Sequence, residues 1–193
     1  MLVSRECQLA SPAIMSAEQY LVATLLGGEL PLVLSCLVGE LKPARELRSP
    51  ARIALSESLC EATDGEGVIA ARLLDHLPAL FSSWTRCRAL GRALPKGCWT
   101  TDAETQYEWL VRQTILLSRN NGSPLLTTSR YHNWPGGPVD AAVSLAGDRA
   151  DRLAAAARLG KHLLSHQSVR TSGLLPDPSI ESEWSCLAVM SNE

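Results

Sequence analysis

Apolar positions return every three or four residues along most of this chain, and the strict alternation of a half-buried strand is nearly absent. Leu21, Val22, Leu25 and Leu26 define a first helix from Ser16 to Leu26, which Gly27-Gly28 is expected to stop. Pro31 then opens a second helix through about Leu41, because a first turn has no use for the missing amide. A third runs from near Ser49-Pro50 to Ala62, with Ile53, Leu55, Leu59 and Cys60 as its apolar positions. "TDGEG", residues 63–67, reads as a sharp turn, since Asp and two glycines supply the backbone angles a reversal needs. The segment from Val68 to Leu94 is helical with a break or kink at Pro78. Its second half holds Phe81, Trp84 and Cys87, with Arg86, Arg88 and Arg92 beside them.

The stretch "DAETQYEWLVRQTILLSRNNGS", residues 102–123, has both a start and a stop. Thr101 and Glu104 fit a capping box, and Asn121-Gly122 fits a left-handed C-cap. Tyr107, Leu110, Val111, Thr114 and Leu117 share its apolar side, while Glu108 and Arg112 are spaced for a surface ion pair. Gln106, Trp109 and Gln113 form a separate line, an unusual set for a solvated face. Beyond it, Val139 to His166 reads as a hairpin of helices or as one helix broken near Gly147-Asp148. "LLPDPSIESE" is a turn-rich connector, and "WSCLAVM", Trp184 to Met190, is a short β-strand without an obvious partner in the chain.

Short links between successive helices imply antiparallel hairpins packed side by side, so the expected fold class is all-α. No sequence repeat of solenoid type accompanies them. At 193 residues, 46% apolar and 20% charged with a formal net charge of −2, the chain can bury a full core and is not of disordered composition. Its arginines are scattered near acids and do not form a run, which removes the electrostatic footprint expected of a nucleic-acid binder. Cys7, Cys36, Cys60, Cys87, Cys98 and Cys186 stand singly without zinc-ligand spacing, and buried free thiols are the expected state. No cofactor is implied. Residues 21–39 are apolar, but Glu29, Pro31 and the glycine pair interrupt them, so no membrane segment is expected. The start lacks a signal-peptide pattern, and a cytoplasmic location is the default.

"TSRYHNWPGGP", residues 128–138, concentrates chemistry. Tyr131 and His132 can exchange protons, Arg130 and Asn133 can hold a carboxylate, and Trp134 can cover an apolar sugar face. A plainer reading has Tyr131 and Trp134 anchoring an irregular loop. The Gln106, Trp109 and Gln113 line suits a carbohydrate groove in the same way, with core packing as its alternative. His162 and His166 share a helix face but lack the intervening glutamate of a metalloprotease site. "DGEG" lacks the lysine of a phosphate loop, and no GxSxG elbow is present.

The stretches "DGEGVIAARLLDHLPALFSSWTRCRALGRAL", "CWTTDAETQYEWLVRQTILLSRNNGS", "GDRADRLAAAA" and "ESEWSCLAVM" together resemble the helical part of heparinase II/III-like polysaccharide lyases. The resemblance implies an incomplete (α/α) toroid over residues 1–176, with residues 177–193 as a connector and the start of a β-rich domain. It also implies β-elimination on an acidic, uronate-containing polysaccharide, with Tyr131, His132 and Asn133 catalytic by residue type and Gln106, Trp109, Gln113, Arg130 and Trp134 binding substrate. The chain ends at "SNE", before a β-sandwich, so an incomplete and inactive lyase portion is expected. A non-enzymatic helical interaction or adaptor protein is the alternative. The oligomeric state is left open by the residues.

Overall fold

The structure, a computed structural model, describes residues 15–118, 136–159 and 180–189. Their regular structure is helical apart from one short hairpin and an isolated bridge, and the all-α class holds. The described residues fall into two units, drawn from Met1–Ala62 with Ala79–Glu104 and from Thr63–Pro78 with Thr105–Glu193.

The first unit opens with α1, Ala17–Leu37, a single run of 21 residues where two helices were expected. Ser16 and Gln19 form its capping box: the Ser16 hydroxyl accepts from the Gln19 amide at 3.2 Å, and Gln19 Oε1 accepts from the Ser16 amide at 2.9 Å. Gly27-Gly28 does not end the helix but lies inside a π turn, Leu25–Glu29, where the Leu30 amide reaches back to Leu25 O. Three causes carry the chain through. The Glu29 carboxylate is clamped by Arg86 at 2.6 and 2.9 Å. Pro31 is the second residue of the segment after the π turn, where the change in hydrogen-bond spacing accommodates a residue without a donor. Gly28 faces Leu55 so closely that a Cβ would sit 2.6 Å from Leu55 Cδ2, so the glycine is a contact point and not a terminator.

After a turn come α2, Lys42–Glu46, and α3, Arg48–Ala62. Arg45 closes the end of α1 by donating to Gly39 O and Glu40 O, and Arg48 donates to Ser35 O at 2.9 Å. Of the four apolar positions expected on α3, Leu55 and Leu59 are fully buried, whereas Ile53 and Cys60 are exposed. The inner side of α3 also carries serines: Ser58 is reached by the Tyr20 hydroxyl through its carbonyl, and by Thr24 at 2.9 Å and Trp84 Nε1 at 3.3 Å through its hydroxyl. Ser56 accepts from the Thr100 amide, and Arg52 donates to Trp99 O, which fixes the loop after α4.

α4, Leu77–Gly91, follows a 3-10 turn at Ala71–His76, and the expected break at Pro78 appears as this junction. Phe81, Trp84 and Cys87 are buried. α5, Thr101–Leu116, starts one residue earlier than the capping box predicts: Thr101 is already helical, and the Thr100 hydroxyl accepts from the Ala103 amide. The helix ends at Leu116, short of the predicted Asn121-Gly122 stop, and those two residues lie outside the described set.

In the second unit, the α5 residues Tyr107, Leu110, Val111 and Thr114, with Leu117 just beyond the helix, are all buried as expected. α6, Gly136–Ala146, and α7, Arg149–Leu159, form the predicted hairpin, broken at Gly147-Asp148. The predicted strand at the C-terminus does find a partner. β1, Ile180–Ser182, and β2, Leu187–Val189, pair antiparallel with Ser182 opposite Leu187. The partner was hidden in the turn-rich connector, and three residues are too few to give an alternating pattern.

Candidate functional site

The line Gln106, Trp109, Gln113 acquires its meaning from the TDGEG turn. Asp64 Oδ1 accepts from the amides of Glu66 and Val68, both at 2.8 Å, and the Asp64 amide donates to Val68 O. An isolated bridge between Thr63 and Ile69 closes the reversal. Gly67 adopts φ +76°, and a Cβ there would lie 2.5 Å from the backbone of Trp109 and Leu110. Only glycine combines that conformation with that approach.

The two glutamines hold this turn from α5. Gln106 Nε2 donates to Gly65 O at 3.3 Å while its Oε1 accepts from the Thr63 hydroxyl, and Gln113 Nε2 donates to Glu66 O at 3.2 Å. The amides thus pair two carbonyls of the reversal, that of Gly65 at the surface and that of Glu66 in a part-buried position. The hairpin fastens the same turn: the Ser182 hydroxyl donates to Asp64 Oδ2 at 2.5 Å, and the Ala71 amide donates to Ser185 O at 2.9 Å.

Trp109 is different. The residue is 38% exposed, and the Arg112 guanidinium lies 4.7 Å from the ring centroid. Arg112 does not make the predicted pair with Glu108. Instead it donates to Asp151 Oδ1 at 2.8 Å and to Asp148 Oδ2 at 3.0 Å. Those two carboxylates already cap α7 reciprocally, Asp148 accepting from the Asp151 amide and Asp151 from the Asp148 amide. Arg112 therefore ties a helix start to α5, and Asp151 is 3% exposed. The Asp151 amide, followed by the Arg112 charge, holds the Asp148 carboxyl below the usual carboxylate range. Hydrogen bonding to Asp151 raises Arg112 in return.

Of the sequence-predicted residues, Gln106 and Gln113 are thus occupied by the turn, and Trp109 keeps an open edge. Tyr131, His132, Asn133, Arg130 and Trp134 lie outside the described residues, as do His162 and His166. Among the described residues, no cluster of three His, Cys, Asp or Glu side chains could hold a metal ion.

The thiols divide by burial. Cys87 and Cys98 are buried and free, and burial pushes Cys87 far up and Cys98 up to about 12, so neither supplies a thiolate near neutral pH. Cys60 and Cys186 are exposed and Cys36 half-buried, which corrects the expectation of buried thiols throughout. Burial, with Asp102 and Glu61 nearby, raises Cys60 as well.

A feature that sequence reasoning missed lies in the first unit. Val22, Leu26, Leu30, Leu34 and Leu37 of α1 are all exposed, as are Val38 and Leu41 beyond it. The side of α1 turned toward the protein is instead Tyr20, Thr24, Gly28, Leu32 and Ser35. The spacing of four from Val22 to Val38 was readable, but a stop placed at Gly27-Gly28 divided it. α1 is also long and apolar enough to cross a membrane, contrary to the expectation that its glycines, Glu29 and Pro31 would interrupt it.

Comparison of the chain with family models, with curated proteins and with solved structures finds no match.

Proposed function

We propose that this protein is a non-enzymatic helical interaction protein. The observation that carries this reading is the aliphatic line on α1, from Val22 to Leu37, exposed on a helix whose inner side has Thr24, Gly28 and Ser35 beside Tyr20 and Leu32. A helix in water normally turns its leucines inward. An arrangement with leucines outward and Thr24, Gly28 and Ser35 inward leaves a contiguous apolar surface of the kind that marks a contact site. The two glutamines that suggested a groove on α5 are engaged within the protein, where they hold the turn.

A photo-crosslinking amino acid at Leu30, incorporated in cells making the full chain, tests the reading. An ultraviolet-dependent protein adduct is expected at Leu30, with none from the same probe at exposed Glu57 on α3. No protein adduct from Leu30 overturns it.

A second reading is the helical portion of a heparinase II/III-like polysaccharide lyase, with the helices arranged as an incomplete (α/α) toroid. Trp109 supports it, because a part-exposed indole beside a guanidinium suits the face of an acidic sugar. In this reading Tyr131, His132 and Asn133 supply the acid and base, with Arg130 and Trp134 on the substrate. Incubation with uronate-containing polymers and measurement of ultraviolet absorbance from an unsaturated product tests it. Absence of product, together with glycan retention unchanged by Trp109→Ala and Tyr131→Phe, removes it.

A further inference from the structure

We infer that the exposed face of α1 pairs with the same face of a second copy of this chain, as an antiparallel, two-fold related helix pair centred on Leu30. The inference rests on the interaction reading above and names the partner.

The first argument is area. Val22 is 51% exposed, Leu26 56%, Leu30 47%, Leu34 39% and Leu37 72%, and Val38 and Leu41 continue the patch. Together they present on the order of 600 Å² of apolar surface per copy, so a pair that covers all of it buries at most about 1,200 Å², the lower end of what specific interfaces bury.

Symmetry supplies the second. A two-fold contact demands a self-complementary patch. Val22 and Leu26 precede Leu30 by eight and four residues, and Leu34 and Val38 follow it by the same intervals. An antiparallel copy therefore sets Leu26 against Leu34 and Val22 against Val38. In a regular helix, positions four apart drift around the axis by about 40° per step. The π turn at Leu25–Glu29 inserts an extra residue into the middle of the line and offsets that drift.

Charge decides between a protein and a lipid surface. From Ala17 to Leu41 the sequence has no lysine or arginine, Glu29 is paired with Arg86, and Lys42 and Arg45 come only beyond the patch, so α1 itself lacks the cations that line the polar face of a peripheral membrane helix. Nor does α1 stand alone as a spanning segment would: Tyr20 and Thr24 are hydrogen-bonded to Ser58 of α3, a helix that also carries Arg52, Glu57 and Glu61.

Sedimentation equilibrium of the full chain over roughly 1–100 µM tests the pairing. The wild-type chain is expected to sediment at twice the chain mass, L26E/L34E at the chain mass, and L26E/L34K again at twice the chain mass, because the antiparallel register sets each new glutamate against a new lysine. All three should show the same helical circular dichroism, since both positions are exposed. A wild-type chain that stays monomeric overturns the inference, and flotation of that monomer with phosphatidylcholine vesicles would assign the face to lipid. A dimer that survives in L26E/L34E overturns it too, and failure of L26E/L34K to re-form the pair overturns the antiparallel register. Monomeric wild-type chain combined with a Leu30 adduct to another protein sinks the self-pairing while leaving the interaction reading standing.

Discussion

α1 and α5 each carry an outer line whose chemistry is the reverse of its place. On α5 two amides that look made for solvent or ligand turn onto the TDGEG carbonyls, and on α1 a row of leucines that looks made for a core is left outside. The difference lies in what approaches each helix. At α5 a backbone reversal comes to within a glycine's breadth of Trp109 and Leu110, and its carbonyls must be satisfied there. At α1 the neighbour is α3, whose close approach at Gly28 leaves room for hydroxyls and one leucine, Leu32, but not for a second row of large side chains. Close backbone approach selects small or hydrogen-bonding residues, and bulk is displaced to the other side.

This contrast can be broken most severely at the turn. Gly67→Ala is expected to destabilise the protein by about 3–4 kcal/mol, because it adds a left-handed strain at φ +76° to a clash with backbone that cannot swing aside. Urea denaturation would read the change as a lower midpoint, and a midpoint within error of wild type would mean that α5 does not press on the turn. Next in size comes Arg112→Ala. It leaves Asp151, 3% exposed, with its cap but without its cation, and about 2–3 kcal/mol of stability should go, discounted because Arg112 itself is partly exposed.

The same cluster predicts a pH dependence. Asp148 has its folded pKa depressed below 3.8 by the Asp151 amide and then Arg112, so its contribution is present above that value and is lost as pH falls through the folded pKa. Urea midpoints measured from neutral to strongly acidic pH should therefore fall below about pH 4, and Asp148→Asn should flatten this part of the profile. The smallest effect belongs to α1. Leu26→Glu, which would be ruinous in a core, should change the stability of the dissociated chain by no more than about 0.5 kcal/mol, measured at concentrations where no pair forms. A loss of several kcal/mol would show that the leucine line is covered within the chain.

Much of this was readable. The helical period, the TDGEG reversal, the buried side of α5 and the α6–α7 break follow from local rules, because each depends on residues a turn or less apart. The Gln106 and Gln113 line was visible as an anomaly, but its partners are about 40 residues away, at Gly65 and Glu66, and no spacing announces them. Arg112 shows the same limit: Glu108 sits at ideal helical distance, yet the guanidinium goes to Asp148 and Asp151, where two hydrogen-bonded carboxylates offer more than one solvated glutamate.

What the sequence determined by itself is the helical class, the place of α3, the start of α5, the α6–α7 break and the sharp turn, since propensity, capping and glycine stereochemistry act within a few residues. Tertiary structure alone decided that Gly27-Gly28 would sit inside a helix and that the leucines beside it would face outward. A glycine pair costs helix stability locally, but the Glu29–Arg86 clamp and the approach of Leu55 supply the compensation from elsewhere in the first unit, and packing outweighs propensity wherever two backbones meet that closely.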